Sequence, residues 1–148
     1  MWGVEKFLVI LGKINKAFVN GEFEIARQEY TKGIEVSPED PRLWSNRAQT
    51  FIKLLYPELA IVDATNALSL IEPKIISGIY DNADLVLFCK SGWRKAEALA
   101  KSDEHGSAAK NWRDYLKLLI GEQWQVLIGM LGNVNRIATL KNIAILCF

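Results

Sequence analysis

Sliding the chain 34 positions along itself lays Ala26 on Ala60, Gly33 on Ala67, Ile34 on Leu68 and Ile25 on Leu59. The same shift lays Ile10 on Trp44, Ala17 on Phe51 and Tyr30 on Ala64. A period of this length marks a stack of similar units, none of which can bury its apolar face alone. The apolar residues inside each unit recur at three-to-four spacing, so the units are helical. The 148 residues suffice for one compact domain.

Each unit reads as two helices. Leu8, Leu11, Ile14, Ala17 and Phe18 form the apolar face of the first, which Asn20-Gly21 ends. The second covers about 22–36, with Ile25, Ala26, Tyr30, Gly33 and Ile34 on one face. Ser37-Pro38 stops it, because proline disfavours helical geometry in the residue before it. Pro41 suits a first helical turn. The second unit repeats the plan with Leu43, Trp44, Arg47, Ala48, Phe51 and Ile52, a break at Tyr56-Pro57, and a helix over 59–70. Ala26, Gly33, Ala60 and Ala67 are small enough for helices to approach closely.

The third unit is altered. A loop-like interruption is expected over 73–80, after which Asp81 or Asn82 caps a helix with Leu85, Phe88, Gly92, Ala96 and Leu99 on its apolar face. A turn follows over 102–106, then a helix carrying Trp112, Tyr115, Leu116 and Leu119. The expected organisation is a repeat domain over 1–121, with repeats at about 7–40, 41–73 and 82–121 and an insertion near 73–81. The strongly apolar segment 122–148 is expected to cap the stack, since an open end exposes core surface. Six or seven antiparallel helices and no sheet are expected.

Composition narrows the functions. Lys+Arg 18 against Asp+Glu 17 gives a net charge of +1, with no basic run for a nucleic-acid backbone. The uncharged stretch 123–135 is too short for a membrane helix, which needs about 20 residues. Neither a signal peptide nor a disulfide framework is expected, with only Cys89 and Cys147 present. A cytoplasmic protein without cofactor or metal is the expectation.

The segments Asn15-Lys16-Ala17-Phe18-Val19-Asn20-Gly21-Glu22-Phe23-Glu24-Ile25-Ala26 and Tyr30-Thr31-Lys32-Gly33-Ile34 resemble the first repeat of tetratricopeptide domains from heat-shock co-chaperones. Ser45-Asn46-Arg47-Ala48 with Ala60-Ile61-Val62-Asp63-Ala64 resembles their second. The period of 34 is that of the tetratricopeptide repeat. The likeness covers about residues 7–101. It implies an all-α right-handed superhelix of antiparallel helix pairs, about three repeats with C-terminal capping helices. It also implies an adaptor that holds a partner peptide in a concave groove, with the acidic C-terminus of a heat-shock chaperone as the partner.

In that family a "carboxylate clamp" grips the last residue of the peptide. The resemblance assigns peptide-binding roles to Asn15, Asn46, Lys90 and Arg94. Leu11 stands where the family has a further lysine. The chemistry is coherent: asparagine amides donate to carboxylates without adding charge, while lysine and arginine donate with it. Lys90 and Arg94, four apart, share a helix face. An ordinary solvated face is the plain alternative, in which Glu97 partners Arg94. Arg47 is expected to brace helices and not to touch ligand.

Two other functions remain. A tetratricopeptide region also precedes the catalytic domain of SET-domain methyltransferase-like proteins, which would make the chain part or relic of an enzyme. No catalytic residue is assigned here. His105 reads as part of a solvated turn and Cys89 as a buried, inert thiol. Alternatively, the apolar segment 122–148 binds a partner helix in a scaffold.

Overall fold

A computed structural model describes residues 2–102 together with Lys110. The expected turn at 103–106 with His105, the helix around Trp112 to Leu119, the capping segment 122–148 and Cys147 lie outside the described residues. Five helices follow one another: α1 (Trp2–Val19), α2 (Phe23–Val36), α3 (Pro41–Lys53), α4 (Pro57–Ser77) and α5 (Asn82–Lys101). No strand occurs among the described residues. Short connections fold successive helices back on one another, and α3 packs on α2, α4 and α5. Apolar clusters fill these contacts. Ile10, Ile14 and Ala17 of α1 meet Ala26, Tyr30 and Ile34 of α2 and Leu43 of α3. Phe51 and Ile52 of α3 meet Ala60 of α4 and Ala98 of α5.

The turns show why the repeat works. At the end of α1 the N–H of Glu22 donates to the carbonyl of Ala17 and that of Gly21 to Phe18, with Gly21 at φ +75°. This pair of bonds satisfies the last carbonyls of a helix and requires a left-handed residue. One period later the same bonds run from Tyr56 to Phe51 and from Leu55 to Ile52. The left-handed residue there is Leu55, at φ +64°. Tertiary packing therefore imposes on a leucine the geometry that a glycine supplies without strain.

Other boundaries follow local chemistry. Asp40 caps α3 by accepting from the Arg42 N–H at 3.0 Å, with Pro41 in the first turn. The Asp81 side chain accepts from the Asp84 N–H, and the Asp84 side chain accepts from the Asp81 N–H, so α5 begins with a capping box.

The expected loop over 73–80 is mostly helix. The α4 helix runs through Pro73 to Ser77, and Gly78 at φ +72° closes it. It has 21 residues against 14 in α2, and α5 has 20 against 13 in α3, a surplus of seven in each. The insertion thus adds two turns to each arm of the α4–α5 hairpin at their shared end. A proline inside a helix costs about 3 kcal/mol. Here Pro73 and Ser69, whose carbonyl loses its helical donor, both lie on an exposed side. The added turns bury Ile71, Leu85 and Phe88 together, with Ile75, Tyr80 and Leu87 packed on them. Lys74 also pairs with Asp84 across the hairpin at 3.4 Å.

Leu8 and Ile25, expected on apolar faces, are exposed, and so is Leu59, which the period pairs with Ile25. In α1 the buried row is Ile10, Ile14 and Ala17, which turns Leu8 outward. Ile25 and Leu59, one period apart, are each 49% exposed. The period pairs these two positions correctly, but the inward row runs through their neighbours Ala26 and Ala60. Of the small residues, Gly33 marks a close approach. A Cβ at Gly33 would lie 3.3 Å from Leu43 Cδ2 and 3.8 Å from Ile10 Cγ2.

Gly33→Leu is therefore expected to lower stability by about 1–3 kcal/mol through overpacking. Leu55→Gly should raise it by about 0.5–1 kcal/mol, because the side chain is 77% exposed and only the strained backbone changes. Urea denaturation of the two variants checks both signs. Burial alone would raise the Asp40 carboxyl pKa, but the Arg42 guanidinium and backbone N–H outweigh it and hold the pKa below the usual carboxylate value. A depressed pKa contributes stability above the unfolded value, lost as pH falls through the folded one. Asp40→Ala should thus cost about 1 kcal/mol at neutral pH. The gap should close in acid, as melting curves from pH 7 down to about pH 2 would show.

Candidate functional site

Helix α3 carries two different polar faces. Arg47 points toward α4, where it grips the buried Asp63 with both ends of its guanidinium, Nε to Oδ2 at 2.7 Å and Nη2 to Oδ1 at 2.9 Å. Its Nη1 donates to Thr31 Oγ1 of α2 at 3.0 Å, and Thr31 donates to the carbonyl of Arg27. The guanidinium also lies 5.2 Å from the Trp44 ring centre and 5.7 Å from that of Phe51. Arg47 is the brace that the sequence leads one to expect.

The second face meets α5. Arg94 Nε donates to Gln49 Oε1 at 3.2 Å, and Nη1 donates to Ser45 Oγ at 2.7 Å and to Asn46 Oδ1 at 3.1 Å. The Ser45 and Ser91 hydroxyls, both fully buried, share a hydrogen bond of 2.8 Å. A guanidinium only donates, so Asn46 must turn its carbonyl oxygen to Arg94. Its NH₂ group is then available as a donor to something else. Arg94 is also felt at α2: burial raises the pKa of the Tyr30 phenol, and the positive charge of Arg94 opposes that rise.

Of the four residues that the resemblance assigns, the structure joins Asn46 and Arg94 directly. Asn15 is exposed on α1, and Lys90 is exposed on α5 one turn before Arg94. The described hydrogen bonds of Asn46 and Arg94 do not include either. Leu11 is half-buried and packs against the α1–α2–α3 core. The described hydrogen bonds of Arg94 go to α3 and not to Glu97. Sequence reasoning missed Ser45, Gln49 and Ser91. The spacing of Ser45 and Gln49, one turn apart beside Asn46, was the available signal.

The remaining reactive groups are quiet. Burial pushes the Cys89 thiol up to about 12, so it stays protonated at neutral pH. No group of three or more metal-ligating side chains occurs among the described residues. No helix among them is long and apolar enough to cross a membrane.

Known structures share the fold. The chain is similar to the first tetratricopeptide domain of Spaghetti (RPAP3) bound to the HSP90 peptide SRMEEVD, with 24% identity and a TM-score of 0.64, over 95% of this chain and 94% of that one. It is also similar to the second such domain of human RPAP3 in complex with the HSP70 peptide SGPTIEEVD, with 21% identity and a TM-score of 0.66, over 96% and 98% of the two chains. The chain has the tetratricopeptide-repeat fold.

No protein-family profile matches it. Curated relatives match parts of it. The SGT1 homolog of Oryza sativa is 43% identical over 58 residues, 39% of this chain and 16% of that protein. The heat shock protein sti1 homolog of Schizosaccharomyces pombe is 34% identical over 87 residues, 59% of this chain and 12% of that protein. Serine/threonine-protein phosphatase T of Aspergillus oryzae is 35% identical over 99 residues, 65% of this chain and 20% of that protein. The chain therefore spans a fifth or less of the length of these relatives.

Proposed function

We propose that this tetratricopeptide domain is a non-catalytic, cytoplasmic adaptor that grips the C-terminal carboxylate of an acidic partner peptide, of the kind that heat-shock chaperones carry. The observation that supports this most is the Arg94–Asn46 contact between α5 and α3. It sets a cation beside an asparagine whose NH₂ remains a donor, and Lys90 brings a second cation from the turn before. A terminal aspartate offers two carboxylates to such a group, which binds them through charge-assisted hydrogen bonds. Asn15 extends the donor set from α1. Both peptides in the similar solved complexes end in Glu-Glu-Val-Asp.

Leu11 takes one cation away from the pattern, so binding rests on α5. Titration with SRMEEVD, as free acid and as C-terminal amide, tests the proposal. The free acid should bind and the amide should not. Lys90→Ala should cost about 1.5–3 kcal/mol of free-acid binding. Leu11→Lys should tighten it, because the stem of a lysine can lie along the apolar surface that Leu11 now covers while its ammonium reaches solvent. Affinity should fall at high salt. If Lys90→Ala and Leu11→Lys both leave the free-acid affinity unchanged, the face is only solvated and the proposal fails.

A further inference from the structure

Asn20-Gly21 is the one place in the sequence where glycine follows asparagine. The pair forms the turn between α1 and α2, and both residues are exposed. Gly21 stands at φ +75°, and a Cβ built there would meet nothing within 4 Å. The backbone nitrogen next to the Asn20 side chain therefore has no side chain of its own residue to shield it. One period later the same turn is made by Leu54-Leu55, which offers no amide to attack.

In the folded protein this turn is closed. The Gly21 N–H donates to the Phe18 carbonyl at 3.1 Å, and the Glu22 N–H donates to that of Ala17 at 2.9 Å. Phe18 and Phe23 meet edge to face across the turn, with 5.5 Å between ring centres. A nitrogen held in this way must leave its acceptor before it can turn on a neighbouring side chain, so local opening limits any reaction there.

We infer that Asn20 is a site of spontaneous deamidation and isoaspartate formation, gated by opening of the α1–α2 turn. In the opened turn the Gly21 nitrogen, its proton lost to hydroxide, attacks Asn20 Cγ. The new N–Cγ bond closes a succinimide ring, and the Cγ–NH₂ bond breaks to release ammonia, which takes its proton from water. Water then adds to a ring carbonyl and breaks the bond from that carbon to nitrogen. Addition at Cγ gives aspartate. Addition at the main-chain carbonyl gives isoaspartate, in which the chain runs through Cγ. No oxidant or cofactor is required.

Either product sets a carboxylate at the C-terminal end of α1, where the helix carbonyls disfavour negative charge. Isoaspartate also lengthens the main chain ahead of Gly21, which pulls the Gly21 and Glu22 N–H groups away from Phe18 and Ala17. Ammonia is lost, so the change accumulates with time and loosens the helix that carries Asn15 and Leu11.

The test incubates the protein in neutral to mildly alkaline buffers and locates amide loss by peptide mapping and mass spectrometry. Residue 20 should convert first among the asparagines, to both products, faster as pH rises, while the melting temperature falls. Asn20→Gln, whose longer side chain closes a ring far more slowly, should keep its melting temperature over the same period. Phe23→Ala, which removes the ring contact across the turn, should convert faster than the parent while remaining folded. Conversion at Asn20 no faster than at Asn15, which is exposed on the same helix, overturns the inference. So does an equal rate in Phe23→Ala, and so does aspartate formed without isoaspartate, the mark of direct hydrolysis.

Discussion

The contact on which this architecture turns is the buried pair of Arg47 and Asp63. Asp63 is almost wholly removed from water, and both its oxygens face one guanidinium. Such a pair adds little net stability, because desolvation consumes most of the attraction, yet breaking one partner costs about 3–5 kcal/mol. Its consequence is geometric. With Arg47 fixed to α4 and, through Thr31, to α2, helix α3 cannot rotate about its axis. Ser45, Asn46 and Gln49 are then presented to α5 as a set. The two arginines divide the labour: Arg47 orients α3, and α3 orients Arg94.

Periodicity carried most of the fold in legible form, and its failures are instructive. Gly21 and Leu55 stand one period apart, and the structure gives both the same left-handed turn although only one has the residue type for it. It related Ile25 to Leu59, and both have equal exposure. What period alone cannot give is the phase. Ile25 precedes Ala26 by one residue, about 100° around the helix, and an apolar side chain on either side fits a three-to-four pattern. Only the partner helix decides which row turns inward. Pro73 misled for a related reason. Its local penalty is real, but Ile71 and Ile75 on either side bury against α5 and outweigh it.

The site was legible only in part. Asn46, Lys90 and Arg94 could be named from a resemblance, but the grip on Arg94 could not. Its described partners on α3 sit 45 to 49 positions away, so their pairing depends on how α5 registers against α3. The interruption near residue 73 left that register open.

The length of the insertion explains how the register survives. Seven residues turn a helix by about 700°, within about 20° of two full turns. Adding seven to α4 and seven to α5 therefore lengthens the hairpin while leaving each helix facing as before. Arg94 lies 48 positions after Asn46, which is one period plus both additions, and still meets it at 3.1 Å. An addition of four or five residues per arm would turn α5 by a fractional turn and carry Ser91 and Arg94 off the face that meets α3. With Leu11 in place of a cation on α1, both assigned cations stand on that one helix. The charge of the proposed peptide site is thus only as well placed as the packing of α5 against α3, and the two-turn length of the insertion preserves that packing.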